Sequence, residues 1–128
     1  MNDIENRGDI QLILNAFYKK AFEDELIGFF FTEVVPLNLE SHLPVITDFW
    51  ESILFGNYHY RKNVMEIHRN IHQLSSIEKI HLDRWVELFT KTVDELFKGR
   101  YANLMKQRAV SIAMLMGIKL NHTSITGL

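Results

Sequence analysis

Two histidines, His42 and His68, each lie among large apolar residues in a chain that contains no cysteine. His42 opens the stretch His42-Leu-Pro-Val-Ile-Thr-Asp-Phe49-Trp50, and His68 closes Tyr60-Arg-Lys-Asn-Val-Met-Glu-Ile-His68. Phe17-Tyr18 comes earlier, and His81-Leu-Asp-Arg-Trp85-Val-Glu-Leu-Phe89 follows later. Neutral imidazole is the nitrogen ligand that iron porphyrins favour. A phenol, a second imidazole and an indole can each hydrogen-bond to a small ligand on the opposite side. The chemistry this set could perform is that of a haem pocket.

Singly, each of these residues has a plainer role. A histidine after a short helix can face solvent, and His42 sits at the edge of an apolar stripe, where it could begin a helix facing water. Tyr18 reads equally as a core tyrosine with its hydroxyl at the rim. Trp85 and Trp50 fall on buried stripes and Phe31 reads as core on composition alone; all three could be packing, with Trp50 core first and pocket wall second. His59, His72, His81 and His122 read as surface or capping residues. No histidine pair with a following carboxylate has zinc-ligand spacing on one helix face, and there is no glycine-rich phosphate loop or Ser-His-Asp arrangement.

Composition narrows the class. The chain has 128 residues, 47% of them hydrophobic and 12% aromatic, with a formal net charge of −2. That is enough apolar content for the core of one domain spanning residues 1–128. Nine phenylalanines and five methionines point to a soft, aromatic interior. The charge balance leaves no electrostatic footprint for nucleic acid or an anionic membrane. Without cysteine there are no disulfides, thiolate metal sites or thiol nucleophiles. The polar N-terminus does not read as a signal peptide, and no apolar run approaches the ~20 residues that span a bilayer. The expectation is a soluble, cytoplasmic protein.

The elements that must position the site are helical. Asp9 reads as an N-cap for a helix to about Glu23, with Ile10, Leu14, Phe17 and Ala21 on one face. Phe29-Phe30-Phe31 follows as a short buried turn or helix. Leu39, Leu43, Ile46, Trp50, Ile53 and Leu54 form a helical stripe. Because Pro44 suits only a first turn, that helix is expected to begin near His42 and to end at Gly56. Residues 57–75 read as loop, with one short helix from Val64 to His68. Ser75 and Glu78 offer a capping box for a helix through Phe97, burying Leu82, Trp85, Val86, Phe89, Val93 and Leu96. A last helix is expected from about Tyr101 to Lys119. The predicted class is all-α.

In this order and spacing, the residues resemble the group III truncated haemoglobins. The resemblance rests on Phe17-Tyr18, Asp24-Glu-Leu-Ile-Gly28-Phe-Phe-Phe31, His42-Leu-Pro…Phe49-Trp50, Tyr60…His68 and His81-Leu-Asp-Arg-Trp85-Val-Glu-Leu-Phe89. The tail Thr92-Val-Asp-Glu-Leu-Phe97…Lys106-Gln-Arg-Ala109…Ser111-Ile-Ala113 is similar to the family's last two helices. Family members often read Tyr-x-Gly-Asn-Pro-Met before the proximal helix, where this chain has Tyr60-Arg-Lys-Asn-Val-Met65. Lys62 and Val64 thus replace a flexible glycine and a pre-set helix start.

The resemblance implies a truncated globin, a two-over-two helical sandwich holding noncovalent haem b. It puts the iron ligand on His68, the distal groups on Tyr18, His42 and Trp85, and further haem contacts on Phe31, Trp50 and Tyr60. It implies binding of O2, NO and CO, as oxygen carriage or as NO dioxygenase- or peroxidase-like redox chemistry fed by an external electron donor. His42 would be a gate or proton source. The competing expectation is a haem-free helical sensor or adaptor that keeps the globin shape. Against it, unpaired polar groups in an apolar cleft are costly to retain.

Overall fold

The computed structural model describes residues 1–34, 38–56 and 77–126, with side chains for all of these except 33–34 and 119–126. Among these residues four α-helices run over Arg7–Glu23 (α1), Leu39–Phe55 (α2), Lys79–Leu96 (α3) and Arg100–Thr126 (α4). A single turn of π-helix, Phe30–Val34, lies between α1 and α2. Among the described residues there is no strand. The chain is all-α, as its periodicity predicts.

Local chemistry sets the helix starts, and three of them differ from the sequence expectation. α1 begins at Arg7 because the Asn6 side chain accepts from the Asp9 N–H at 3.0 Å. Asp9 lies inside the first turn, where its carboxylate accepts the Glu5 N–H and favours the positive end of the helix. α2 begins at Leu39, three residues before His42, with Asn38 accepting from Ser41 N–H. Pro44 therefore sits in the helix interior. Its missing N–H falls where Glu40 and Pro44 both face outward, so the orphaned carbonyl is not walled into the core. Gly56 closes the helix with φ 75°, a left-handed cap that favours glycine.

α3 begins at Lys79, after Glu78, and the expected cap at Ser75 lies outside the described residues. Here the His81 ring closes the start, with Nδ1 accepting the Glu78 N–H at 2.9 Å. The predicted loop and short helix over 57–75 are likewise outside the described residues.

α1 packs on both α2 and α3, while α4 packs on α3 and touches α2. One helix pair thus lies across the other. The first residues hold the far corner. Ile4 is buried, and the Asp3 carboxylate accepts the N–H groups of Tyr101 and Ala102 at 2.9 and 3.0 Å, capping α4. Gly99 is required there: its φ is 147°, and a Cβ would lie 2.5 Å from the Asp3 side chain.

At the crossing of the helices lies a cluster of rings. Phe89, 1% exposed, is stacked between Trp50 and Trp85, with centroids 5.1 and 5.3 Å away and planes tilted 20° from each. Phe17 meets Phe89 edge-on at 5.3 Å and Trp85 at 6.1 Å. Phe89→Ala would empty the centre of this cluster. An urea titration should show a loss of about 3–5 kcal/mol.

Candidate functional site

Tyr18 is on the last half of α1 and His42 in the first turn of α2. The packing of those two helices brings the Tyr18 hydroxyl to 3.0 Å from His42 Nε2. The rings meet edge-on, with centroids 5.5 Å apart. Tyr18 is 7% exposed, and burial pushes its phenol above the ordinary tyrosine range. The group is therefore held as a neutral O–H across the physiological range.

Phe31, from the π-helical turn, stands edge-on to Tyr18 at 5.9 Å and tilts against Phe22 at 5.5 Å. Trp85 comes from the other layer. It reaches the group through Phe17, which touches both Tyr18 and Trp85 edge-on. Trp85 is half-buried, and its indole N–H has no hydrogen-bond partner among the described residues. Ile46 and Phe49, one and two turns beyond His42 on the same side of α2, are also half-buried. The result is an aromatic cluster that includes a phenol, an imidazole and an indole.

Of the residues the sequence nominates, the structure brings Tyr18, His42 and Phe31 into one cluster and puts Trp85 one ring away. Trp50 lies elsewhere: it is 2% exposed and separated from Trp85 by Phe89. Its place is the core behind that cluster. Tyr60 and His68 lie outside the described residues.

Two features of the site escape the sequence. Phe89, read there as one stripe residue among six, is the ring that divides core from cluster. The second is an ion pair between the buried Asp24 carboxylate and the half-exposed Arg84, residues whose partnership has no local signal. Both occur inside the stretches that carry the family resemblance, where only their neighbours attract notice.

No family model matches the chain. A group 3 truncated haemoglobin of Campylobacter jejuni is 24% identical over 111 residues, covering 84% of this chain and 85% of the relative. The crystal structure of the group III truncated haemoglobin from Campylobacter jejuni superposes with a TM-score of 0.80 at 22% identity. It covers 94% of this chain and 95% of that one. The fold is that of a truncated globin. The resemblance read from the residues thus holds in both sequence and fold. Within this fold, Tyr18 and His42 meet across the α1–α2 contact, and Trp85 on α3 is linked to them through Phe17.

The burial of Tyr18 has a measurable consequence. A phenol whose folded-state pKa is raised contributes stability that is complete below the unfolded value near 10 and lost as pH rises above it. Denaturation titrations from pH 9 to 11.5 should therefore show a smaller alkaline loss of stability in Tyr18→Phe than in the wild type.

Proposed function

We propose that this truncated globin is a cytoplasmic, single-domain haem protein that binds diatomic gases. In this reading His68 holds the iron, and Tyr18, His42 and Trp85 line the ligand side. Phe31, Tyr60 and Trp50 supply ring surface, with Trp50 acting from behind Phe89. The observation that carries the reading is the half-buried Trp85 indole N–H, without a partner among the described residues, beside the buried Tyr18–His42 pair. Tyr18 and His42 answer each other, so the cost falls on the Trp85 donor, which a ligand beside it would meet. The same cost disfavours a haem-free adaptor.

The residues fit the group. Half-buried Phe31, Ile46 and Phe49 offer apolar surface suited to a flat macrocycle. The donors suit a small polarised ligand. With no cysteine, attachment is noncovalent, as in haem b. When bound, haem supplies an iron centre that takes a diatomic gas on its open face and polarises it.

The chain's own residues do the rest. Tyr18 has one proton and His42 two ring nitrogens, so the direction of their bond decides what the ligand meets. If His42 Nε2 carries a hydrogen, it donates to the Tyr18 oxygen and leaves the phenol proton for the ligand. If Nε2 is bare, Tyr18 donates to His42 instead. Trp85 offers its N–H in either state. His42, in the first turn of α2 and half-buried, can serve as gate and proton source. With the Nε2 hydrogen on His42, Tyr18 and Trp85 both donate to the ligand, and two donors on one small ligand favour retention over quick release. That supports redox chemistry on O2, NO or peroxide beside carriage, with electrons from an external donor.

Hydrogen bonds to a charged acceptor contribute about 1.5–3 kcal/mol each, roughly a ten- to hundredfold change in rate. Stopped-flow measurement should find O2 dissociation faster by that factor in Tyr18→Phe and in Trp85→Phe; unchanged rates in both would remove the donor account. For the other side, haemin added to purified protein should give a protein-bound Soret band. His68→Ala should alter both the oxidised and the reduced spectra, and identical spectra would eliminate His68 as ligand.

A further inference from the structure

Three acidic residues in a row, Glu23-Asp24-Glu25, stand at the carboxyl end of α1. The helix dipole is negative there, so carboxylates are opposed unless something compensates. The fold buries one of them: the Asp24 side chain is 6% exposed. Its Oδ2 accepts the N–H groups of Leu26 and Ile27 at 3.0 and 3.1 Å. Its Oδ1 accepts Arg84 Nε at 2.8 Å and Nη2 at 2.7 Å. Burial by itself would raise the Asp24 pKa, but the Arg84 guanidinium and the two amides hold it below the usual carboxylate value. The charge is therefore kept.

This one carboxylate joins three elements, and each carries a residue of the cluster. α1 carries Tyr18. The turn through Leu26 and Ile27 leads into the π-helix that carries Phe31. α3 carries Arg84 and, next to it, Trp85. Ring contacts such as Phe17–Trp85 at 6.1 Å fix distance but are weakly directional. A helix packed by such contacts alone can turn about its axis and carry an indole with it. A planar guanidinium with two donors on one buried oxygen resists that turn.

We propose that Asp24 and Arg84 are positioning residues that hold the Trp85 indole N–H and Phe31 in register with Tyr18. The effect on ligand rates rests on the haem reading; the effect on Trp85 does not. The pair sets the rotation of α3 relative to the end of α1, and so the direction of the only unanswered donor in that cluster among the described residues.

The chain has two tryptophans, so its nitrogen-15 correlation spectrum shows two indole N–H signals, assigned with Trp50→Phe. In haem-free protein, Arg84→Met, which keeps the aliphatic stem and removes the donors, should shift or broaden the Trp85 signal and leave that of Trp50 in place. Asp24→Asn should do the same, and serves as the second variant if Arg84→Met does not fold. Arg84→Lys, which keeps the charge but not the two-donor fork, should return the Trp85 signal only part of the way to its wild-type position. Lys79→Ala, which breaks the exposed Lys79–Asp83 pair, should move neither signal. With haem bound, O2 dissociation should rise about three- to tenfold in Arg84→Met and fall part of the way back in Arg84→Lys. A Trp85 signal unmoved in both Arg84→Met and Asp24→Asn overturns the proposal. A moved Trp85 signal in a protein that takes up no haemin sinks the haem reading and leaves the positioning role standing.

Discussion

The position of the Phe89 ring is the constraint on which the rest of this molecule depends. It lies between the two tryptophans with nearly parallel planes and meets Phe17 edge-on. Those contacts join α1, α2 and α3 in one place. They also divide the interior: Trp50 is on the core side, while Trp85 is on the side that faces Tyr18 through Phe17. Stacked and edge-on rings combine large buried area with modest geometric preference. The cluster therefore supplies cohesion and spacing, and leaves orientation to be set by other groups.

Orientation comes from charge-assisted bonds at the edges of α1. Near its start, Arg7 donates to Asp48 at 2.6 Å and Glu51 at 3.0 Å, both on α2. Further along, Lys20 donates to Glu95 at 2.6 Å and to the buried Thr92 hydroxyl at 3.3 Å, both on α3. Past its end, Asp24 takes Arg84. Among the described helices, the one bearing Tyr18 is tied to both of its neighbours. Such pairs are worth little where they are exposed. Their value lies in direction, most of all where one partner is buried.

Much of the architecture is legible in apolar spacing. Intervals of three and four identify all four described helices, and Gly56 marks the end of α2 as expected. The starts are less legible because several polar residues compete to cap each helix. Asn6 prevails over Asp9, and Asn38 begins α2 ahead of Pro44, whose ring turns out to be tolerated on an outward-facing side. The site is a different case. Nothing about Tyr18 or His42 alone separates a ligand pocket from ordinary packing, and it is their order along the chain beside Trp85 that resembles a family. Which rings face one another is a property of helix crossing. That is why Trp50, core first by its stripe and a haem contact only by resemblance, lies behind Phe89 in the fold.

The cap that Asp3 places on α4 also bears on how the chain assembles. Most contacts in a helical sandwich are local and form early, at little cost in chain closure. This one joins residues separated by almost the whole described length, with Gly99 shaped to receive it. Closing so long a loop is entropically costly until the intervening helices have already packed. The first turn of α4 is thus completed by residues ahead of α1, a closure that gains little until the helices between them have packed. An order parameter that followed this corner would report the finished molecule and not its collapse.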